Sequence, residues 1–293
     1  MSHAVASAET IGETTYGLAG PRSVTWQLHA DPSMWLGGIA SLYLQALHPR
    51  TVAGVVQNSD YRTNPLGRLV STAEFVTVGV YGRRDKIEAA AARVRRVHAS
   101  LRATDPDTGR TFRVDEPDLL LWVHCAEVHS FLDVARRAGY PLTDAQADRY
   151  LDEQRATAAL VGLDPAAVPG SVTAMDAYLA STRPALRHTD DSQGIYDYLH
   201  RPPVTGRLRL GLPVYEPVIG HLAYSLLPAW ARRLYGHRAY PDAVATAMLR
   251  TLRTAALATR GVNPFLGPHP SVRQAIRDLG EWARPSPANL PEA

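Results

Sequence analysis

The sequence predicts an all-α protein, and three observations predict it. Apolar residues recur at steps of three and four over long stretches, the spacing of one helix face. No stretch alternates polar and apolar residues, and no series of strand-length Val/Ile runs occurs. The periodic stretches are also punctuated as helices are, with Asp31-Pro32, Pro65 and Pro117 at starts and Gly82 and Gly139 at ends.

In chain order, residues 1–25 read as a loose N-terminal arm, since the first twenty are mostly small and polar. Asp31 is placed to cap a helix that runs to His48 and is apolar nearly all round, so it should be buried. Gly37-Gly38 inside it costs helix stability, about 1 kcal/mol per Gly against Ala. Such a pair allows close approach of another helix or of a flat ligand. A short helix follows Pro49, and a third runs from about 66 to 81. The next, over 85–103, is rich in Ala and Arg, both strong helix formers.

Asp105-Pro106-Asp107-Thr108-Gly109-Arg110 is a turn signal for a small hairpin or an irregular loop. Asp115-Glu116-Pro117 opens a long helix over 117–138 whose first half is apolar on every side, so it should be central. Thr143 and Gln146 form a capping box for a helix over 144–161. Further helices are expected at 171–182, 190–200, 214–226, 228–236, 240–258 and 270–280. The expected organisation is one multi-helix domain over 26–284, with a Pro-rich disordered tail at 285–293. The buried helices should be 33–48, 66–81, 85–103 and 117–138.

Composition excludes several classes. Cys125 is the only cysteine, so neither an intrachain disulfide nor a cysteine-based zinc site can form. Lys86 is the only lysine, and the arginines occur singly or in pairs with no dense basic tract, so nucleic acid is not an expected partner. There is no signal peptide and no run approaching the roughly 18 apolar residues of a spanning helix, so a cytoplasmic protein without a transmembrane segment is expected. Phosphate-binding glycine loops, the G-x-S-x-G elbow and H-E-x-x-H are absent. The one His124-x-x-Glu127 pair does not meet the requirement of a helical di-iron site for two Glu-x-x-His pairs and two more Glu.

The candidate chemistry lies on the helix from Ile87 to Arg102. Ile87, Ala91, Val94, His98 and Leu101 share one face, and Arg95 and Arg102 stand three before and four after His98. Two readings stand side by side here. The structural one is a buried histidine bonded to a carbonyl, with two surface arginines. The functional one is a haem site, since a proximal ligand needs one neutral imidazole from a buried helix and propionates need arginines at the rim. His48 and His124 are the other histidines on apolar helices.

Four blocks in order carry a family resemblance. They are L-x-L-Q-A-L-H-P (Leu42 to Pro49), R-L-V-S-T-A-E-F-V-T-V-G-V-Y-G (Arg68 to Gly82), R-x-x-H-A-S-L-R (Arg95 to Arg102) and D-E-P-D-L-L-L-W-V-H (Asp115 to His124). Together they resemble the MpaB/rubber oxygenase family over about residues 33–250. The resemblance implies a globin-like helical core around haem b and an oxidative activity that uses O2. It implies His98 as proximal iron ligand, the metal-binding residue, with Arg95, Arg102, Arg68 and His124 as cofactor-binding residues. Arg68 and Thr72 match the family's R-x-x-x-T pair on the distal side and are the expected catalytic residues. Ser71 stands where rubber-cleaving members have a lysine able to ligate iron, and no residue matches the carboxylate base proposed in them.

The function expected from all this is a haem-dependent oxygenase acting on a small apolar or unsaturated intracellular substrate, with room for an electron donor. Two alternatives remain open at this point. One is a haem-binding or sensing protein without catalysis, and the other is a cofactor-free helical interaction protein. The sequence carries no reading of oligomeric state.

Overall fold

A computed structural model describes residues 15–260 and 269–292. Residues 1–14 of the expected arm and Ala293 of the expected tail lie outside them. The helices are α1 (Val24–Leu28), α2 (Met34–Gln45), α3 (Pro49–Asn58), α4 (Pro65–Tyr81), α5 (Arg84–Ser100), α6 (Pro117–Arg137) and α7 (Asp144–Leu160). They continue with α8 (Val172–Thr182), α9 (Asp190–His200), α10 (Leu212–Tyr215), α11 (His221–Ser225), α12 (Ala229–Tyr235), α13 (Asp242–Thr259) and α14 (Pro270–Leu279). The expected all-α class is what the described residues adopt. The strands among them are β1 (Arg102–Thr104) and β2 (Thr111–Arg113), an antiparallel hairpin with Ala103 opposite Phe112.

The centre is the pair α2 and α6. Gly37 and Gly38 of α2 lie against Phe131 of α6, and the Trp122 indole N–H donates to the Gln45 carbonyl at 3.0 Å. Leu44, Trp122, Ala126 and Val134 of this pair join Leu47, Tyr150, Leu222 and Tyr224 in one buried core. Glycine lets the two backbones approach because nothing projects between them.

Local signals set several ends. Thr143 and Gln146 make the full reciprocal capping box of α7. Asn64 caps α4, with Pro65 at its first position. The segment expected as one helix at 214–226 is α10, a π-helical turn over Glu216–Gly220, and α11. Gly220 sits so tightly on α9 that a Cβ there would lie 2.8 Å from the Cα of His200.

Five expectations need correction. The helix expected from Asp31 begins at Met34; the Asp31 carboxylate accepts from the Ser33 N–H at 3.0 Å, ahead of the helix, and also pairs with Arg253 of α13 at 2.9 Å. The helix expected to reach 103 ends at Ser100, where Leu101 turns extended and Asn58 holds the Arg102 carbonyl in β1. The helices at 66–81 and 85–103 were expected to be buried. α4 buries only Pro65, Gly79, Val80 and Tyr81, and α5 only Ile87 and Ala91, so their far ends stay open. Residues 15–25 are packed rather than loose, with Tyr16 buried beside Trp26, Val80 and Tyr81, and its hydroxyl on Asp278. In the tail, Ser286 N–H donates to Gln27 and the Pro291 carbonyl accepts from Gln146, so this part of the segment is tied down.

Candidate functional site

α4 and α5 form a helical hairpin turned at Gly82-Arg83. Near the turn Phe75, Val78, Ile87 and Ala91 pack with Leu160 of α7. Toward the open end the apolar side chains lose cover, and Leu66, Val70 and Val97 are 44%, 59% and 47% exposed. Arg68, Thr72 and His98 lie at this end.

His98 is half-buried, and its Nδ1 is enclosed without a hydrogen-bond partner among the described residues. Burial lowers its pKa first, the Arg68 charge lowers it further, and Asp115 opposes both. The imidazole is therefore held neutral at ordinary pH, which is the form that ligates a metal. The Arg68 guanidinium makes no hydrogen bond or ion pair among the described residues, and its charge also acts on Tyr198. The Tyr198 hydroxyl donates to the Pro65 carbonyl at 2.8 Å, which brings α9 onto the start of α4. Burial, first of several causes, pushes the Tyr198 phenol up to about 12, so it stays protonated.

Asp115 is held on a fork by Arg113, at 2.8 Å from Nε and 2.6 Å from Nη2, and this keeps its carboxyl below the usual range. Thr72 and Ser71 both turn back on α4: the Thr72 hydroxyl donates to the Arg68 carbonyl at 3.1 Å, and that of Ser71 to Gly67 at 2.8 Å. Neither proton is free for a ligand in this arrangement.

Through-space charge links His98 to Arg68 and Asp115, and Arg68 to Tyr198, while Thr72 follows Arg68 one turn along α4. Asp115 and Tyr198 were not singled out from the sequence. Asp115 was legible only as part of a helix start, and Tyr198 lies a hundred residues from His98 with no local signal.

The flanking arginines point elsewhere. Arg95 donates to the Leu160 carbonyl at 2.9 Å. Arg102 stands in β1 rather than on the helix, and its Nη1 donates to Ala99 and Leu101 at 2.8 and 2.9 Å. Arg95 keeps its place on α5 one turn from His98, whereas Arg102 lies beyond the helix, so the two arginines do not flank His98 on one helix face. His124 is buried on α6, its Nε2 has no partner, and burial lowers its pKa to about 4. It answers to the Gln154 backbone on α7, while His98 answers to Arg68 and Asp115, so the two imidazoles have separate neighbours.

The family model described as "ER-bound oxygenase mpaB/B'/Rubber oxygenase, catalytic domain" matches residues 26–261. The chain belongs to this family. The match covers α1 to α13 and so contains both arms of the hairpin. As an mpaB/rubber oxygenase catalytic domain, the chain is assigned to the oxygenases, enzymes acting on small molecules. Comparison with curated protein sequences and with solved structures returned no significant match. Among the described residues no helix is long and apolar enough to cross a membrane.

Proposed function

We propose that this oxygenase domain depends on haem b, with His98 as its proximal ligand, and uses O2 on a small apolar or unsaturated substrate. The observation that carries the proposal is the neutral His98, with an enclosed Nδ1, beside the Arg68 guanidinium at the apolar open end of α4 and α5, both without a hydrogen-bond partner among the described residues. These residues fit a haem. An unmatched buried nitrogen costs free energy that a partner would recover, and the exposed Leu66, Val70 and Val97 offer a flat macrocycle an apolar neighbour. When bound, haem supplies the iron redox chemistry with O2 that amino-acid side chains lack.

The chain's own residues hold, orient and shield. His98 is kept unprotonated by burial and by Arg68. Arg68 presents five N–H donors in a planar fork, suited to a propionate or to oxygen held near it. Thr72, its proton already given to Arg68, can act there only as an acceptor. Arg95 and Arg102 each use one terminal nitrogen on backbone carbonyls, which leaves further N–H groups for propionates. A cytoplasmic setting and an electron donor as partner belong to the same proposal.

The test is the absorption spectrum of the purified protein, ferric and ferrous, with and without CO. The wild type should show a Soret band that shifts with CO, and His98→Ala should lose it. A full band in that variant would move the ligand to His124 or His48. A protein that stays colourless after reconstitution with haemin would end the proposal. Arg68→Ala should keep haem and change its O2 reactivity, whereas loss of haem would assign Arg68 to a propionate.

A further inference from the structure

A second constellation lies far along α6 from this site. Asp115, beside His98, immediately precedes α6, while Asp133 stands sixteen residues past its first residue, Pro117, or roughly 24 Å at 1.5 Å per residue. There a cavity of about 760 Å³ opens between α6, α8, the start of α12 and α13. That volume is within the range of small-molecule sites.

His129 and Asp133 line it, one turn apart on α6 and so on one face. Asp176 of α8 faces both of them, and the charges of all three interact. The His129 Nε2 is buried without a hydrogen-bond partner among the described residues. Neither Asp133 nor Asp176 has a hydrogen bond or ion pair among the described residues. The charges of Arg137 and Arg136 act on Asp133 through space and lower its pKa against the rise from burial, and the Arg232 Nε is buried without a partner among the described residues. Arg137 reaches Asp242 at 3.8 Å, Leu226 at 3.1 Å and Thr246 at 3.2 Å, and Arg232 reaches Asp242 at 2.8 Å. Arg250 donates to the Arg137 carbonyl at 3.0 Å, and Arg183 lies over the Trp230 ring at 4.8 Å.

Two carboxylates and an imidazole thus line one cavity, and among the described residues no arginine forms an ion pair with either carboxylate. Burial raises the pKa of Asp133 and lowers that of His129, as expected of acceptors withdrawn from water without a donor. Asp133 is half-buried and Asp176 exposed; a partly buried carboxylate left unmatched still costs free energy, and a donor-rich cation is the group that relieves it.

We propose that this cavity is a second ligand site, which takes a small molecule through a primary ammonium group held by Asp133 and Asp176, with His129 as a further acceptor. An ammonium carries three N–H donors for these three groups. Leu179, Leu226 and Leu227 supply an apolar wall for the carbon chain, and the exposed Arg183 and Arg250 at the rim disfavour a second cationic end.

The experiment is calorimetric titration of the full-length protein at pH 7.5 with hexylamine, 6-aminohexanoate and hexanoate, recording the haem absorption alongside. Hexylamine and 6-aminohexanoate should bind saturably and hexanoate should not. Asp133→Asn should weaken the amines at least about tenfold, or 1.4 kcal/mol, and Asp176→Asn severalfold. Melting curves check that both variants are folded, and exposed Asp176 gives a substitution that the fold tolerates. Amine binding that survives both substitutions and shifts the Soret band would be ligation at the iron and would overturn the proposal. So would saturable binding of hexanoate, or no saturable binding of either amine. Loss of haem from His98→Ala bears on the oxygenase site alone and leaves these outcomes unchanged.

Discussion

The two glycines of α2 give a prediction that separates packing against a helix from packing against a flat ligand. A Cβ built on Gly38 meets Phe131 at 3.6 and 3.9 Å, ordinary contact. A Cβ on Gly37 meets Phe131 Cδ1 at 3.1 Å, Phe131 Cα at 3.3 Å and the Ser130 carbonyl at 3.4 Å. The ring carbon can swing aside, but the other two are backbone of the central helix. Each Gly→Ala change gains about 1 kcal/mol of helix propensity. Gly38→Ala should keep that gain. Gly37→Ala must set it against an overpacking cost of about 1–3 kcal/mol, so its net effect runs from about zero to a loss of about 2 kcal/mol. The two variants should therefore differ by about 1–3 kcal/mol in urea denaturation followed by circular dichroism. Equal gains for both would refute the argument that backbone approach of α6 requires Gly37. Unchanged stability with loss of the Soret band in both would show that the pair serves a flat ligand instead.

Two other outcomes follow from buried charge. Asp31 and Arg253 pair at 2.9 Å with both side chains largely buried, and Asp31 also accepts from the Ser33 N–H and hydroxyl at 3.0 and 2.6 Å. Asp31→Ala or Arg253→Ala should each cost about 3–5 kcal/mol by stranding the partner, and the double variant should lose less than the sum; strict additivity in a double-mutant cycle would deny the coupling. Stability should also fall on acidification between about pH 6.5 and 4. Burial holds His29 and His200 near pKa 4, with His221 adding to the effect on His200. Because the unfolded chain protonates them near 6.5, it binds more protons in that window and unfolding is favoured as pH falls. By pH 5 the loss is about 2 kcal/mol for each, and His29→Gln should flatten the slope of urea midpoint against pH. A midpoint unchanged from pH 7.5 to 5 would count against both assignments.

Much of the helical order was legible because it is written locally. The capping box at Thr143 and Gln146, Pro65 and Pro117 at helix starts, and the apolar periodicity of α2 and α6 each act within a few residues. The candidate site was legible in part for the same reason. His98 stands out as a single imidazole on an apolar stripe, and Arg68 and Thr72 belong to a contiguous block. The turn at 105–110 left hairpin and loop open, and pairing of β1 with β2 decided between them. Asp31 carries a valid capping signal, yet its carboxylate goes to Arg253, 222 residues away. The same carboxylate still accepts from the Ser33 N–H, so the local bond and the distant pair coexist.

The sequence by itself determined the all-α class, the positions of most helices and the family to which the chain belongs, because periodicity, capping and motif order are properties of neighbouring residues. Only the tertiary structure decided that α4 and α5 part toward an open end and that Arg68 and Asp115 are the charges acting on His98. It also placed Arg102 on a strand and drew His129, Asp133 and Asp176 around one cavity. Those outcomes depend on which faces meet across the chain, and charge and burial act through space between residues that carry no mark of one another in sequence.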